Sequence, residues 1–389
     1  MPVSSSLPID AVVDYLCDVD AGARGGVAGS DLLAVLGGIV DPRALRGVRH
    51  CLVSVLAVAV AAVVAGARSF CAIAEWAADA PAEVLAALSV TGCAPHESTI
   101  RRVLQALDAD ALDAMIGAWL AGRSRPAGRR VIAVDGKSVR GAIGVNGRAR
   151  HLLAAIDHQA GVVLGQLDVD GKTNEITMFS TLMAGIDIAD ALVTADALHT
   201  QKDHARYLIE QRGAHYLFTV KGNQPKLNAQ LRRLPWAQVP AADTCIDRGH
   251  GRVERRSIKV VTVAAGLLFP HAAQAIQITR RVRALNTRRW HTVTVYAITS
   301  LTAAQANPAQ LADWARGHWS IENSLHWVRD VTFAEDHSQV RTGNGPQVMA
   351  GLRNLAISLI RMAGFTNIAA TLRHTARDPS RSLRLLGIT

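Results

Sequence analysis

At 389 residues, 49% hydrophobic and 19% charged, the chain is too long for one ordinary core and too apolar for a disordered segment. A formal charge of +10 favours a polyanionic partner, most simply nucleic acid. Five cysteines, an odd number without C-x-x-C spacing, argue against a disulfide framework or structural zinc and suit a reducing cytoplasm.

The first ten residues lack a basic stretch followed by an apolar run, so no signal peptide is expected. Residues 1–125 read as an all-helical N-terminal domain. Leu32, Leu33, Val35 and Leu36 recur at helical spacing, as do Val84, Leu85 and Leu88, with Pro81 and Glu83 suited to a first turn. Residues 51–67 carry no charge but are short for a bilayer span and rich in small side chains, which predicts a core helix buried all round and no membrane partner. Ser98 and Thr99 offer caps for a helix from Ile100, with Arg101 and Arg102 in its first turn. Residues 122–128 form a polar linker.

The pattern then changes to strands. Residues 131–134 end at Asp135. Two further strands, 151–157 and 162–169, are joined by a turn at 158–161. A helix over 175–183, a buried strand over 191–195 ending at Asp196, a helix over 202–212 and a strand over 215–220 follow. This order predicts an α/β core, over 129–249, with a mixed sheet that starts antiparallel and continues through parallel crossovers. Residues 250–300 read as a β-rich insertion, with strands at 257–263, 275–282 and 291–298. Residues 301–389 read as a C-terminal helical part of the core, with a break at 343–346.

Asp135 and Asp196 each close a buried strand, and the carboxyl ends of strands line the ligand crevice of open sheets. Two acids at one sheet edge repel unless a cation lies between them, and oxygen donors suit magnesium or manganese. A strand-end Asp that merely caps the next turn is the plainer reading of either one alone. His318, Glu322 and His326, spaced i, i+4, i+8, place a carboxylate on a polar stripe extended by Arg329 and Asp330. That stripe also fits a solvated face or a His-Glu-His zinc site.

Taken in order, several stretches resemble bacterial insertion-sequence transposases of the DDE superfamily, in the subgroup of H-repeat-associated proteins. They are Ile132-Ala133-Val134-Asp135-Gly136-Lys137, Lys172-Thr173-Asn174-Glu175-Ile176, Thr194-Ala195-Asp196-Ala197, Val220-Lys221-Gly222-Asn223-Gln224-Pro225, the run from His318 to Trp327, and Phe333-Ala334-Glu335-Asp336. The resemblance covers essentially the whole chain. It implies an RNase H-like catalytic core and a catalytic, metal-holding triad of Asp135, Asp196 and Glu322, separated by 61 and 126 residues. It implies two Mg2+ or Mn2+ ions per site, and a cytoplasmic, nucleoid-associated enzyme that cleaves transposon ends and joins them to target DNA as a homodimer or larger assembly.

Residues expected at the DNA are Lys137, Lys221 and Asn223 beside the crevice, Arg252, Arg256 and Trp290 of the basic insertion, and His318, His326 and Arg329 around the Glu. The N-terminal domain is the candidate for recognising the transposon ends. Relatives with a Y-x2-R-x3-E-x6-K signature differ here, since Ala315, His318 and Arg329 stand at its Tyr, Arg and Lys positions. The competing readings are an RNase H-like nuclease that cleaves without joining, a catalytically silent DNA-binding relative, and a zinc hydrolase built on His318, Glu322 and His326.

Overall fold

A computed structural model describes residues 29–388 except 47, 125, 144–146, 148, 170–173, 250, 264–265 and 320. The expectations for the first ten residues, for Lys172 and Thr173 and for Ser320 fall outside the described residues.

The N-terminal part contains helices α1 (Gly29–Gly37), α2 (Leu52–Val64), α3 (Phe70–Asp79), α4 (Ala82–Ala87), α5 (Glu97–Ala106) and α6 (Ala109–Arg123). The uncharged α2 is buried from Ser54 to Val64, so it is the expected core helix. Each fully buried Val or Leu there contributes roughly 1.5–3 kcal/mol. Among the described residues no helix is long and apolar enough to cross a membrane. Helix α5 starts earlier than its Ser and Thr suggest. His96 caps it by accepting from the Ser98 N–H, and Glu97 occupies the first turn. Arg101 therefore lies a turn inside and pairs with Glu97 at 3.0 Å, so this helix end is already compensated.

One nine-stranded sheet follows, in the order β3-β2-β1-β4-β5-β9-β8-β7-β6. Its first five strands are β1 (Val131–Ile143), β2 (Ala149–Asp157), β3 (Val163–Asp168), β4 (Leu192–Ala195) and β5 (His215–Val220). β1, β2 and β3 pair antiparallel, while β4 and β5 run parallel to β1. This 3-2-1-4-5 order is the mixed RNase H-like core expected from the sequence. Helix α7 (Glu175–Ala184) connects β3 to β4, helix α8 (Lys202–Arg206) continues into a wider turn at Tyr207–Gln211 before β5, and helix α9 (Pro225–Arg233) follows β5.

The β-rich stretch extends the same sheet. Strand β9 (His291–Thr299) pairs antiparallel with β5, and β8 (Gln274–Ala284), β7 (Arg252–Thr262) and β6 (Asp243–Gly249) add outward. β6 carries little apolar periodicity, and its residues are mostly exposed, which is why the sequence does not announce it.

Helix α10 (Pro308–Gly317) opens with a capping box between Asn307 and Gln310. The chain then turns and resumes as two wide π-type turns, Glu322–His326 and Val328–Thr332. A 3-10 turn at Glu335–His337 precedes helices α11 (Gly345–Met362), α12 (Ile368–Thr375) and α13 (Ser380–Leu386). The break before α11 is wider than the expected 343–346. Ala334 adopts φ +51°, turning the chain so that Glu335 enters the core between two arginines.

Strand alternation gives the sheet two faces. Val131, Leu192, Leu217, Ile258, Ile276 and Ala297 face α10 in one apolar cluster. Ile132, Val134, Val193, Tyr216, Phe218 and Ile298 face the opposite cluster, which α7 and α9 cover.

Candidate active site

Strand β1 does not end at Asp135. Its pairing with β4 stops at Val134, opposite Ala195, but its pairing with β2 continues to Ile143. Asp135 is thus the first residue to emerge past the shorter neighbouring strand. Asp196 follows Ala195 and emerges beside it, on the α10 face. Asp196 also caps the turn at Ala197–His199, accepting from the Leu198 N–H at 2.8 Å. The capping reading of this residue is therefore correct, and it leaves the second carboxylate oxygen free of that bond.

Glu322 reaches the same place from the helical side. A cavity of about 1000 Å³ is lined by Asp135, Asp196 and Glu322 together. Burial and the nearby carboxylates of Asp196, Glu175 and Glu322 push Asp135 up to about 7. The segment that carries Glu322 is half-buried: Glu322, Trp319 and Trp327 are exposed while Ile321, Leu325 and Val328 are buried.

Glu175, the first residue of α7, is a fourth carboxylate; it falls in one of the stretches that carry the resemblance but is assigned no role there. Its Oε1 meets His151 Nε2 at 2.6 Å and its Oε2 meets His199 Nε2 at 3.1 Å. Burial opposes its charge, but the hydrogen bonds from the two histidines carry it down to about 2. His151 stands on β2, and His199 ends the turn that Asp196 caps, so Glu175 ties the supports of both aspartates together. It lies so close to Gly136 that a Cβ there would fall 2.4 Å from its Oε1 and 2.6 Å from His151 Nε2. The signal available in the sequence was the Asn174 cap, which places Glu175 on the first turn after a core strand.

The residues expected at the DNA divide. Lys221, Arg252, Arg256 and His318 line the cavity with the triad. His318 points away from solvent toward Thr194, whose hydroxyl it meets at 3.2 Å and which also meets His158 at 3.0 Å. Burial carries His318 down to about 4 and His158 to about 3. Asn223 is exposed, but its amide donates to the Ala197 carbonyl, bracing the loop after β5 against the Asp196 turn.

Three expectations are corrected. Arg329 is 0% exposed and paired with Glu335 at 2.8 Å, so it cannot touch DNA. Lys137 is buried and bound to Asp330 at 2.6 and 2.7 Å. His326 is buried, with Nδ1 3.6 Å from Asp135, and is carried down to about 3 by burial first. His326 and Arg329 lie on the wide turns, which rotate them off the face an α-helix would give them, while Lys137 of β1 is drawn to Asp330 of the second turn. Trp290 lies away from the cavity, against Arg281 and Arg283.

The donor set suits a hard divalent cation. The carboxylates are oxygen donors, and burial first, then the neighbouring acids, push Asp135 up to about 7. Among the described residues no three His, Cys, Asp or Glu side chains are grouped closely enough to hold a metal ion. The two histidines of the zinc arrangement turn apart, His318 to Thr194 and His326 to Asp135.

A mixed 3-2-1-4-5 sheet that brings Asp, Asp and a helical Glu to one cavity defines a protein of the DDE class. Comparison with known families agrees. Residues 126–359 match the family described as "Transposase DDE domain", and residues 33–120 match "DDE_Tnp_1-associated". The chain belongs to the DDE transposase family, whose domains generally use divalent metals. It is 30% identical over 345 residues to "Putative transposase YncI" of Escherichia coli O157:H7, covering 85% of this chain and 87% of that one. It is also 30% identical over 281 residues to "H repeat-associated putative transposase YhhI" of Escherichia coli K12, covering 68% and 73%. Among solved structures it is similar to a piggyBac transposase synaptic complex with hairpin DNA, at TM-score 0.43 and 10% identity, over 95% of this chain and 77% of that one.

Proposed function

We propose that the chain is a DNA transposase that cleaves the ends of an insertion sequence and transfers them to target DNA, with Asp135, Asp196 and Glu322 as its catalytic carboxylates. The observation that supports this most directly is that the three acids line one cavity together with basic side chains. Lys221, Arg252, Arg256, Arg280 and Arg316 also line it, so a phosphodiester bound there would meet both cationic side chains and the acids.

Asp135, Asp196 and Glu322 would hold Mg2+ or Mn2+, two ions per site. When bound, such ions activate an oxygen nucleophile and stabilise the leaving oxygen. The chain's own groups supply position. Asp135 and Asp196 are fixed by strand register, and Glu175 holds their supports. Lys221 and the arginines orient the phosphate for in-line attack. In cleavage a water oxygen bonds to phosphorus as the bond from phosphorus to the 3′-oxygen of the transposon end breaks; the phosphate stays on the flanking strand, and the 3′-oxygen takes up a proton as the water loses one. In joining, the freed 3′-hydroxyl attacks a target phosphodiester in the same sense, so one site serves both steps.

The test is divalent-ion-dependent nicking and joining of a duplex that carries the sequence flanking this gene, by the full chain and by Asp135→Asn. Cleavage by the first and not the second supports the reading. Equal cleavage by both would sink it, and cleavage without joining of pre-cut ends would favour the nuclease alternative.

A further inference from the structure

Strands β7 and β8 carry arginines on both faces, and the two sets are held differently. On the cavity face, Arg252, Arg256 and Arg280 share one buried carboxylate. Glu254 is 4% exposed and meets Arg280 at 2.6 and 2.7 Å, Arg256 at 2.5 Å and Arg252 at 3.8 Å. The alternate residues face the other way. Arg255 lies directly opposite Arg281 in the ladder, and Arg283 follows two residues on. Among the described residues, none of these three has a carboxylate partner. Instead, the guanidinium carbons of Arg281 and Arg283 lie 5.2 and 5.3 Å from the Trp290 ring centroid.

Like charges directly opposite in a sheet are destabilising. Stacking on an aromatic face offsets part of that cost but neutralises nothing. The reverse face is therefore an uncompensated cationic surface. It is ordered by one aromatic ring and open to solvent through Arg255, Arg281, Thr292 and Thr294. Its charge is complementary to a phosphate backbone, and the sheet separates it from the cavity.

We infer that this reverse face of β7 and β8, with Trp290, docks a second DNA duplex while the first occupies the cavity. The inference rests on the transposase reading: end and target meet in the cavity, and the reverse face holds a further stretch of duplex by backbone charge. Arg255, Arg281 and Arg283 contact phosphates, and Trp290 holds two of the three guanidiniums in place. Recognition is of backbone charge, without base readout.

The experiment is binding of a short generic duplex to the full chain, measured as stoichiometry and as salt dependence. The proteins are wild type, R281A/R283A, R281K/R283K and R252A/R256A. Wild type should take up two duplexes per protomer. R281A/R283A should lose one of them, with the slope of log affinity against log salt smaller by about 2. It should still nick end-containing DNA, and the lysine variant should bind like wild type. R252A/R256A should lose the other duplex. Unchanged stoichiometry and slope in R281A/R283A would overturn the inference, as would complete loss of binding in R252A/R256A. The reading beneath it fails separately: a wild type that takes up two duplexes but never cleaves with metal retains the surface and loses the transposase.

Discussion

Asp135 and Asp196 stand immediately beyond a matched pair, because Val134 and Ala195 are register partners in the parallel β1–β4 ladder. Their proximity is set by backbone hydrogen bonding, before any ion is considered. Asp135→Asn keeps the side-chain shape and removes one of the crowded charges. Cleavage should fall roughly 10³-fold or more, since an interaction needed in the transition state is lost. Affinity for DNA should hold within about twofold, because the basic side chains are untouched. Single-turnover cleavage beside an equilibrium binding curve separates the two. A parallel loss of binding would show that Asp135 acts on the fold instead.

Gly136 has no room for a methyl group. The Cβ of Gly136→Ala would enter the space of the Glu175 carboxylate and the His151 ring. Either the clamp opens or β1 shifts, at a cost of about 1–3 kcal/mol. The variant should fold but require more divalent ion for half-maximal cleavage, because the two aspartates are no longer held in register. Glu175→Ala, which removes the clamp without crowding β1, should show the same rise. If Gly136→Ala lowers thermal stability and leaves the ion requirement where it was, the clamp is merely structural.

These contrasts mark how far the sequence could be read. Asp135 and Asp196 were visible because buried β-runs of Val, Ile and Ala end beside them, and a strand's period is short enough to read directly. The antiparallel start of the sheet and its parallel continuation followed from the same signal, whereas the RNase H-like core came from the resemblance. The face of each residue after Gly317 was not visible. Helical spacing assigns Arg329 to the stripe of Glu322, whereas two wide turns rotate it into the core. Hydrogen bonding to the fifth residue is not encoded in any hydrophobic period. Glu175 was missed for a different reason: its partners, His151 and His199, are 24 residues away on either side and meet it only in the folded sheet.

Arg329 offers a test of that rotation. It and Arg353 both clasp Glu335, and Arg329 also donates to Gln166 at 3.0 Å. Removing Arg329 leaves Glu335 with one guanidinium in place of two and takes a donor from Gln166, at a cost of about 1–3 kcal/mol for each buried group left short of a partner. Arg329→Ala should therefore lower the denaturation midpoint strongly, while the folded fraction binds DNA with an unchanged salt slope. Arg256→Ala should do the reverse, with near-wild-type stability and a slope reduced by about 1. A shallower slope for Arg329→Ala would place that side chain at the DNA after all.

Two buried acids should respond to pH in opposite senses. Asp113 on α6 is pushed up to about 7 by burial first, with Asp110 adding to it, against hydrogen bonds from Gln166 and Gln347. A folded value above the unfolded one means the native state binds the proton more tightly. Its contribution is thus present at low pH and lost as pH rises from about 4 to about 7, a loss of at most about 4 kcal/mol. Burial also opposes Glu335, but Arg329 and Arg353 outweigh it and hold it down to about 2. Its stabilisation is present above the ordinary carboxylate range and is lost as pH falls toward 2. Asp113→Asn imitates the protonated acid, so it should match wild type near pH 4 and be the more stable protein at pH 8. Denaturant midpoints of both proteins across that range give the comparison, and the difference between them isolates Asp113 from Asp135, which titrates in the same window. Curves that meet near pH 4 and leave wild type the more stable protein at pH 8 would mean that Asp113 is ionised in the native state, with Gln166 and Gln347 solvating its charge.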